Sequence, residues 1–154
     1  MGRVIRAIEV MTVSGKSIRE HEAESLREPC PYHVIELGLR YHDRETLYGR
    51  INRRVDKMVE MGLTEEVKAA REQGLTATAA QAIGCKELYS WLDGKETQEE
   101  ALEKLKQSTR RYAKRQLTWF GTDQRMRWIE PDTLAAGETP LDKAMEILEK
   151  EGMA

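Results

Sequence analysis

A chain of 154 residues and 17.7 kDa has the size of one domain, long enough to bury roughly 70% of the surface its unfolded form exposes. With 40% hydrophobic and 34% charged residues, it is too apolar for a disordered chain and too charged for a bilayer-embedded one; no stretch nears the roughly 20 apolar residues that span a membrane. The net charge of -2 hides an asymmetry: from Lys104 to Arg127 eight basic residues face one acid, Asp123. Such a concentration steers a polyanion to one place, and a solvated helix face is the alternative. Cys30 and Cys85 lack zinc-like spacing, and no apolar signal segment follows Met1, which predicts a reducing, cytoplasmic setting.

Val4, Ile5, Ala7, Ile8 and Met11 recur at helical spacing and predict a helix over residues 3–13, with almost nothing before it to cap it, as expected of a cut through a larger protein. The turn Ser14-Gly15-Lys16-Ser17 leads into a polar, partly helical stretch ending at Pro29 and Pro31. The apolar run Tyr32 to Leu39 predicts a strand of the buried parallel kind. Asp43 caps an expected helix to Met61, with Leu47, Ile51, Val55, Met58 and Val59 as its buried stripe and Gly62 at its end. Thr64 is expected to cap a second helix to Gln73, closed by Gly74; another spans residues 86–92. Thr97 and Glu100 form a capping box opening a long helix to Phe120. Residues 126–129 predict a short strand, and Thr139-Pro140 starts a last helix to Glu151. One strand near each end of a mostly helical chain cannot make an ordinary sheet, so these strands call for partners outside the chain.

Gly15-Lys16-Ser17 imitates the end of a phosphate loop, but the required earlier glycine is replaced by Val10, and a helix precedes it where a strand is needed. The long helix is more informative. Projected at about 100 degrees per residue, Leu102, Leu105, Thr109, Tyr112, Ala113, Gln116, Trp119 and Phe120 share one side, and Lys104, Lys106, Arg110, Arg111, Lys114 and Arg115 the other. Burying the first set aims the second at solvent or at an anionic ligand. Arg53 and Arg54, one turn after Arg50, form a second cationic pair suited to a pyrophosphate, with ion pairs to Asp56 or Glu60 as the alternative. In Gln81-Ala82-Ile83-Gly84-Cys85-Lys86-Glu87 a glycine meets a helix start, an anion-favouring junction or a plain cap. His21, His33 and His42 have no ligand or dyad spacing. Trp91, Trp119 and Trp128 are expected in the core, Trp119 being also placed to stack on a base.

These motifs, in order and spacing, resemble the C-terminal half of the bacterial tRNA dimethylallyltransferase (tRNA isopentenyltransferase) family. The carrying residues are Arg3 to Val10 with Gly15-Lys16, Leu47-Tyr48 with Arg50 to Asp56, Gln81 to Gly84 with Lys86 to Leu88, and Thr109 to Phe120. The resemblance implies a mostly α chain with one or two short strands, the C-terminal part of an α/β phosphate-loop fold like that of nucleotide kinases. It implies residues 1–31 as the end of a helical insertion with its return segment, 32–130 as part of the prenyltransferase core, and 131–154 as a helical tail.

It further implies transfer of a dimethylallyl group from dimethylallyl diphosphate to N6 of adenosine 37 of tRNA, assisted by Mg2+. On that picture this half binds the anticodon stem-loop through Gly2, Arg3 and Arg6, through Gln81, Ala82, Ile83, Gly84, Cys85 and Lys86, and through Arg110, Arg111, Lys114, Arg115, Gln116, Thr118, Trp119 and Gly121. Arg53 and Arg54 would touch the diphosphate. Cys85 stands where the family commonly has tyrosine, and Gly121 where arginine is usual, which implies weaker tRNA affinity. The family's phosphate loop, magnesium-holding hydroxyl and general-base aspartate have no counterpart here, so the chain is expected to be inactive alone, to bind no metal itself, to engage the diphosphate only with a complementary half, and to have no membrane partner. An RNA-binding remnant, and a structural or protein-binding helical domain, remain the other readings.

Overall fold

The computed structural model describes residues 2–25, 27, 31–76 and 78–152. Contacts divide the chain into two units, Met1–Val34 and Ile35–Ala154. The expectations at Pro29 and Cys30 lie outside the described residues.

The first unit holds α1 (Gly2–Ser14) and α2 (Ile18–Ser25), neither with a buried residue. Lys16 Nζ binds the Glu24 carboxylate at 2.6 Å, and the Ser14 hydroxyl meets His21 Nε2 at 2.8 Å, tying the two helices across their turn. Val4, Ile5, Ile8, Met11 and Val13 are all exposed.

The second unit contains β1 (Glu36–Leu39), α3 (Arg44–Glu60), α4 (Leu63–Glu72), a 3-10 turn (Ala79–Gln81), α5 (Cys85–Leu92), α6 (Gln98–Phe120), β2 (Met126–Ile129) and α7 (Pro140–Lys150). β1 and β2 pair in parallel, Glu36 opposite Met126 and Leu39 opposite Ile129. The first strand is shorter than expected. β2 has only four residues to pair with, so residues 32–35 find no ladder and stay irregular.

Local signals set the helix starts. Asp43 accepts from the backbone N–H groups of Glu45 and Thr46, Thr97 from that of Glu100, and Thr139 from that of Asp142. The α4 start differs from expectation. Gly62, at φ 99°, is its N-cap, and Thr64 lies inside the helix, buried, its hydroxyl donating to Glu65. Left-handed backbone, open to glycine without strain, reverses the chain between α3 and α4, which leaves no room for a separate cap.

Val67, Leu88 and Ala101 form the core where α4, α5 and α6 meet, with Leu63, Tyr89, Trp91 and Leu102 packed around it. α3 packs on α6, and α7 on β2. Of α3's expected stripe, Val55 is buried, whereas Met58 stays 38% exposed at the margin of this small core. At Gly38 an added Cβ would lie 2.8 Å from Trp128 Cζ3, so the indole crosses the sheet only because that position is bare. The Asp132 carboxylate accepts from the backbone N–H groups of His42 at 3.0 Å and Asp43 at 2.8 Å, anchoring the β2 exit to the start of α3.

Candidate nucleic-acid interface

The cationic side of α6 divides in two along its length. In the first half the charges are spent inside the fold: Lys104 pairs with Glu96, Lys106 with Asp56 at 2.6 Å, and Arg110 with Glu103 at 3.0 Å. Arg110 also donates to Asn52 Oδ1 at 2.7 Å, with its guanidinium over the Tyr48 ring at 6.0 Å, and its side chain is only 20% exposed. The expectation that all six cations face solvent or ligand is thus corrected at Lys106 and Arg110, each only 20% exposed, whereas Lys104 stays 60% exposed beside Glu96. α3 lies against this flank and presents Asp56 and Asn52 to it, giving partly desolvated cations the partners they require. Arg111, Lys114 and Arg115 are exposed and form no ion pair among the described residues; Arg115 lies over Tyr112 at 5.6 Å.

The opposite side of α6 is buried only at its start, at Ala101 and Leu105. Tyr112 is 46%, Phe120 45% and Trp119 76% exposed, which corrects the expectation of a continuous core-facing stripe and removes Trp119 from the core. The reason is length. The α4–α5 packing that covers the first turns of α6 does not reach its last three. Gln116 and Thr118 are exposed there, and the Thr118 hydroxyl donates to the Lys114 carbonyl at 2.9 Å. Gly121 ends the helix with any Cβ 2.7 Å from the Leu117 carbonyl oxygen, so a side chain at this position needs the turn to shift.

In the second segment Gln81, Ala82, Ile83 and Lys86 are exposed, Cys85 is half-buried and Gly84 is buried at φ 105°. The buried Glu87 carboxylate accepts the Gly84 N–H at 3.0 Å, so the junction at α5 is already occupied by an internal carboxylate. That favours the plain-cap reading over an anion site at this helix start. Arg53 and Arg54 on α3 are exposed and unpaired among the described residues; Asp56, their expected partner, is held by Lys106. In the first unit Gly2, Arg3 and Arg6 are exposed, Arg6 lying 3.6 Å from Glu9.

Two concavities of the second unit bear on the site. An apolar cleft of about 340 Å³ runs between the Gly38, Met126 and Trp128 face of the sheet and Ala113, Leu117 and Phe120 of α6. A groove of about 330 Å³ lies where the start of α3 meets α6, lined by Tyr41, His42, Arg44, Tyr48, Lys114 and Thr118 among others. No sequence spacing joins Tyr41 and Arg44 to Lys114; Tyr48, Lys114 and Thr118 lie inside the motifs. Among the described residues, no group of three or more His, Cys, Asp or Glu stands close enough to hold a metal ion.

Fold and site together define a helical chain built around one parallel strand pair, with exposed cations that form no ion pair among the described residues on the later half of its longest helix and on α3. Residues 1–123 match the family model for IPP transferase. Curated relatives named tRNA dimethylallyltransferase include those of Halalkalibacterium halodurans, 46% identical over 83% of this chain and 41% of the relative, and of Bacillus velezensis, 50% identical over 83% and 40%. The solved full-length tRNA isopentenylpyrophosphate transferase from Bacillus halodurans superposes with TM-score 0.68 at 36% identity, covering 99% of this chain and 52% of that one. The chain belongs to the IPP transferase family. It spans about two-fifths of the length of these curated relatives.

Proposed function

We propose that this chain is the tRNA-gripping part of a prenyl-transfer enzyme, the half that holds the anticodon arm while a dimethylallyl group passes from dimethylallyl diphosphate to N6 of adenosine 37. The observation that carries this reading is the set of exposed, unpaired cations Arg111, Lys114 and Arg115 at the end of α6 where neighbouring cations are neutralised. Phosphates are the natural counter-charge for such a set. Trp119, 76% exposed beside them, offers a ring on which an unstacked loop base rests. Arg3 and Arg6, and Gln81 with Lys86, are further contacts of the same reading, and Arg53 and Arg54 its diphosphate contacts. Arg110 is left out of the contact set, because its guanidinium is committed to Asn52, Glu103 and Tyr48.

The chemistry itself needs a general base and a magnesium-bearing phosphate loop, which the complementary part of the enzyme is to supply. Binding of an anticodon stem-loop across a salt series tests the reading: each neutralised phosphate adds roughly -0.7 to the slope of log K against log salt on single strands. A slope near -2 is expected from the three α6 cations, falling by about one third in Arg111→Gln. A flat response removes the tRNA reading. Mixing the chain with the complementary half of a relative and assaying prenyl transfer tests the enzymatic part, activity being expected only in the mixture.

A further inference from the structure

Several cations around this part of the second unit are already engaged: Arg40 with Glu130 at 2.7 Å, Lys106 with Asp56, Arg110 with Glu103, Arg50 over the Tyr41 ring at 5.3 Å. The groove between the start of α3 and α6 is lined by two that are not. Arg44 and Lys114 line it from two helices, and neither makes an ion pair or side-chain hydrogen bond among the described residues. The hydroxyls of Tyr41 and Tyr48, in the same wall, find no acceptor among the described residues either. Each of the two rings carries a guanidinium over its face, Arg50 on Tyr41 and Arg110 on Tyr48, which holds the ring in place.

Nearby acids do not fill this need. Asp43 is turned to the N–H groups of Glu45 and Thr46, Asp132 to those of His42 and Asp43, and Glu130 to Arg40, with His42 Nδ1 3.5 Å away. The groove is therefore a concave set of donors approaching from two helices, with no acceptor assigned to it. A planar carboxylate is served by one guanidinium fork; donors converging from separate elements match the several oxygens of a phosphate.

We infer that this groove is a phosphate subsite, in which Arg44 and Lys114 supply charge and Tyr48 a directional donor, with the tyrosine ring beside it receiving the apolar or aromatic group that the phosphate carries. It rests on the proposed function to this extent: the two sources of such a group are an RNA backbone phosphate and the diphosphate of the prenyl donor.

Two titrations of the 154-residue chain, one with inorganic pyrophosphate and one with anticodon stem-loop RNA, test it on wild type, Arg44→Gln, Tyr48→Phe and the control Lys104→Gln. Tyr48→Phe keeps the ring under Arg110 and deletes only the hydroxyl, so it reads the site even where Arg44→Gln disturbs the start of α3. Arg44→Gln is expected to weaken binding of at least one ligand about tenfold and Tyr48→Phe about threefold, with Lys104→Gln within about twofold. Losses with pyrophosphate assign the donor diphosphate; losses with RNA alone assign the backbone. If wild type binds neither ligand, or if both groove variants stay within about twofold of wild type in both titrations, the groove is not a phosphate subsite. RNA binding that ignores the groove variants sinks the subsite and leaves the tRNA reading standing; groove-dependent pyrophosphate binding without any RNA binding does the reverse.

Discussion

Leu88 is completely buried in the cluster with Val67 and Ala101, and so small a core has little surrounding structure to collapse into a void. Leu88→Ala is expected to destabilise the chain by about 3 kcal/mol in a denaturant melt followed by circular dichroism, within the range for buried leucines. Gly38 acts in the opposite sense. An alanine there meets Trp128 Cζ3 at 2.8 Å and Met126 Sδ at 2.9 Å, so the indole must leave its place under the Arg40 guanidinium. A cost of about 1–3 kcal/mol and a changed tryptophan fluorescence are expected for Gly38→Ala, as for other overpacked sites. Arg110 and Arg111 are neighbours with different fates: one is enclosed by Asn52, Glu103 and Tyr48, the other is exposed. Arg110→Gln is therefore expected to lower thermal stability, and Arg111→Gln to leave it unchanged while weakening the proposed RNA binding and its salt dependence; equal melting temperatures for the two would contradict this assignment.

Among the elements, α6 and α7 start on reciprocal caps. The Thr97 hydroxyl accepts the Glu100 N–H at 3.2 Å, while Glu100 accepts the Thr97 N–H at 2.8 Å; Thr139 and Asp142 repeat the arrangement. These bonds hold the Glu100 carboxyl below the usual carboxylate range through the backbone N–H of Thr97 and then its hydroxyl, and Asp142 through the hydroxyl of Thr139 and then its N–H. Because the folded carboxyls are more acidic than the unfolded ones, their stabilisation is complete above the unfolded pKa of roughly 4 and disappears as pH falls through the folded value. Helicity is expected to hold at neutral pH and decline in acid. Glu100→Gln, which keeps the box without titrating, is expected to flatten that decline when ellipticity is followed from pH 6 to pH 2.

For the molecule as a whole, the strand pair is the feature that asks for company. Two four-residue parallel strands with Leu37 and Leu39 exposed on β1 fall well short of the sheets that parallel strands ordinarily build. The curated relatives are more than twice as long as the part matched here. Among the described residues no helix is long and apolar enough to cross a membrane. Arg111 and Lys114 are exposed and form no ion pair among the described residues, so charge-removing changes at either should leave the melting temperature of the chain unaltered.

By itself the sequence determined the main helices, the caps at Asp43, Thr97 and Thr139 and the presence of two strands, together with the family resemblance, because these signals act over three or four residues or lie in contiguous motifs. Asp43, Thr97, Thr139 and Gly62 each mark a boundary through bonds to their nearest neighbours or through a permitted φ. Which cations remained available was decided by tertiary structure alone. Arg110 finds Asn52 across 58 residues and Arg40 finds Glu130 across 90, and no periodicity encodes such partners. The exposure of Trp119, the shortening of β1 and the joining of Arg44 to Lys114 in one groove have the same origin: a side chain's environment is set by what packs against its element, and that is fixed only when the elements meet.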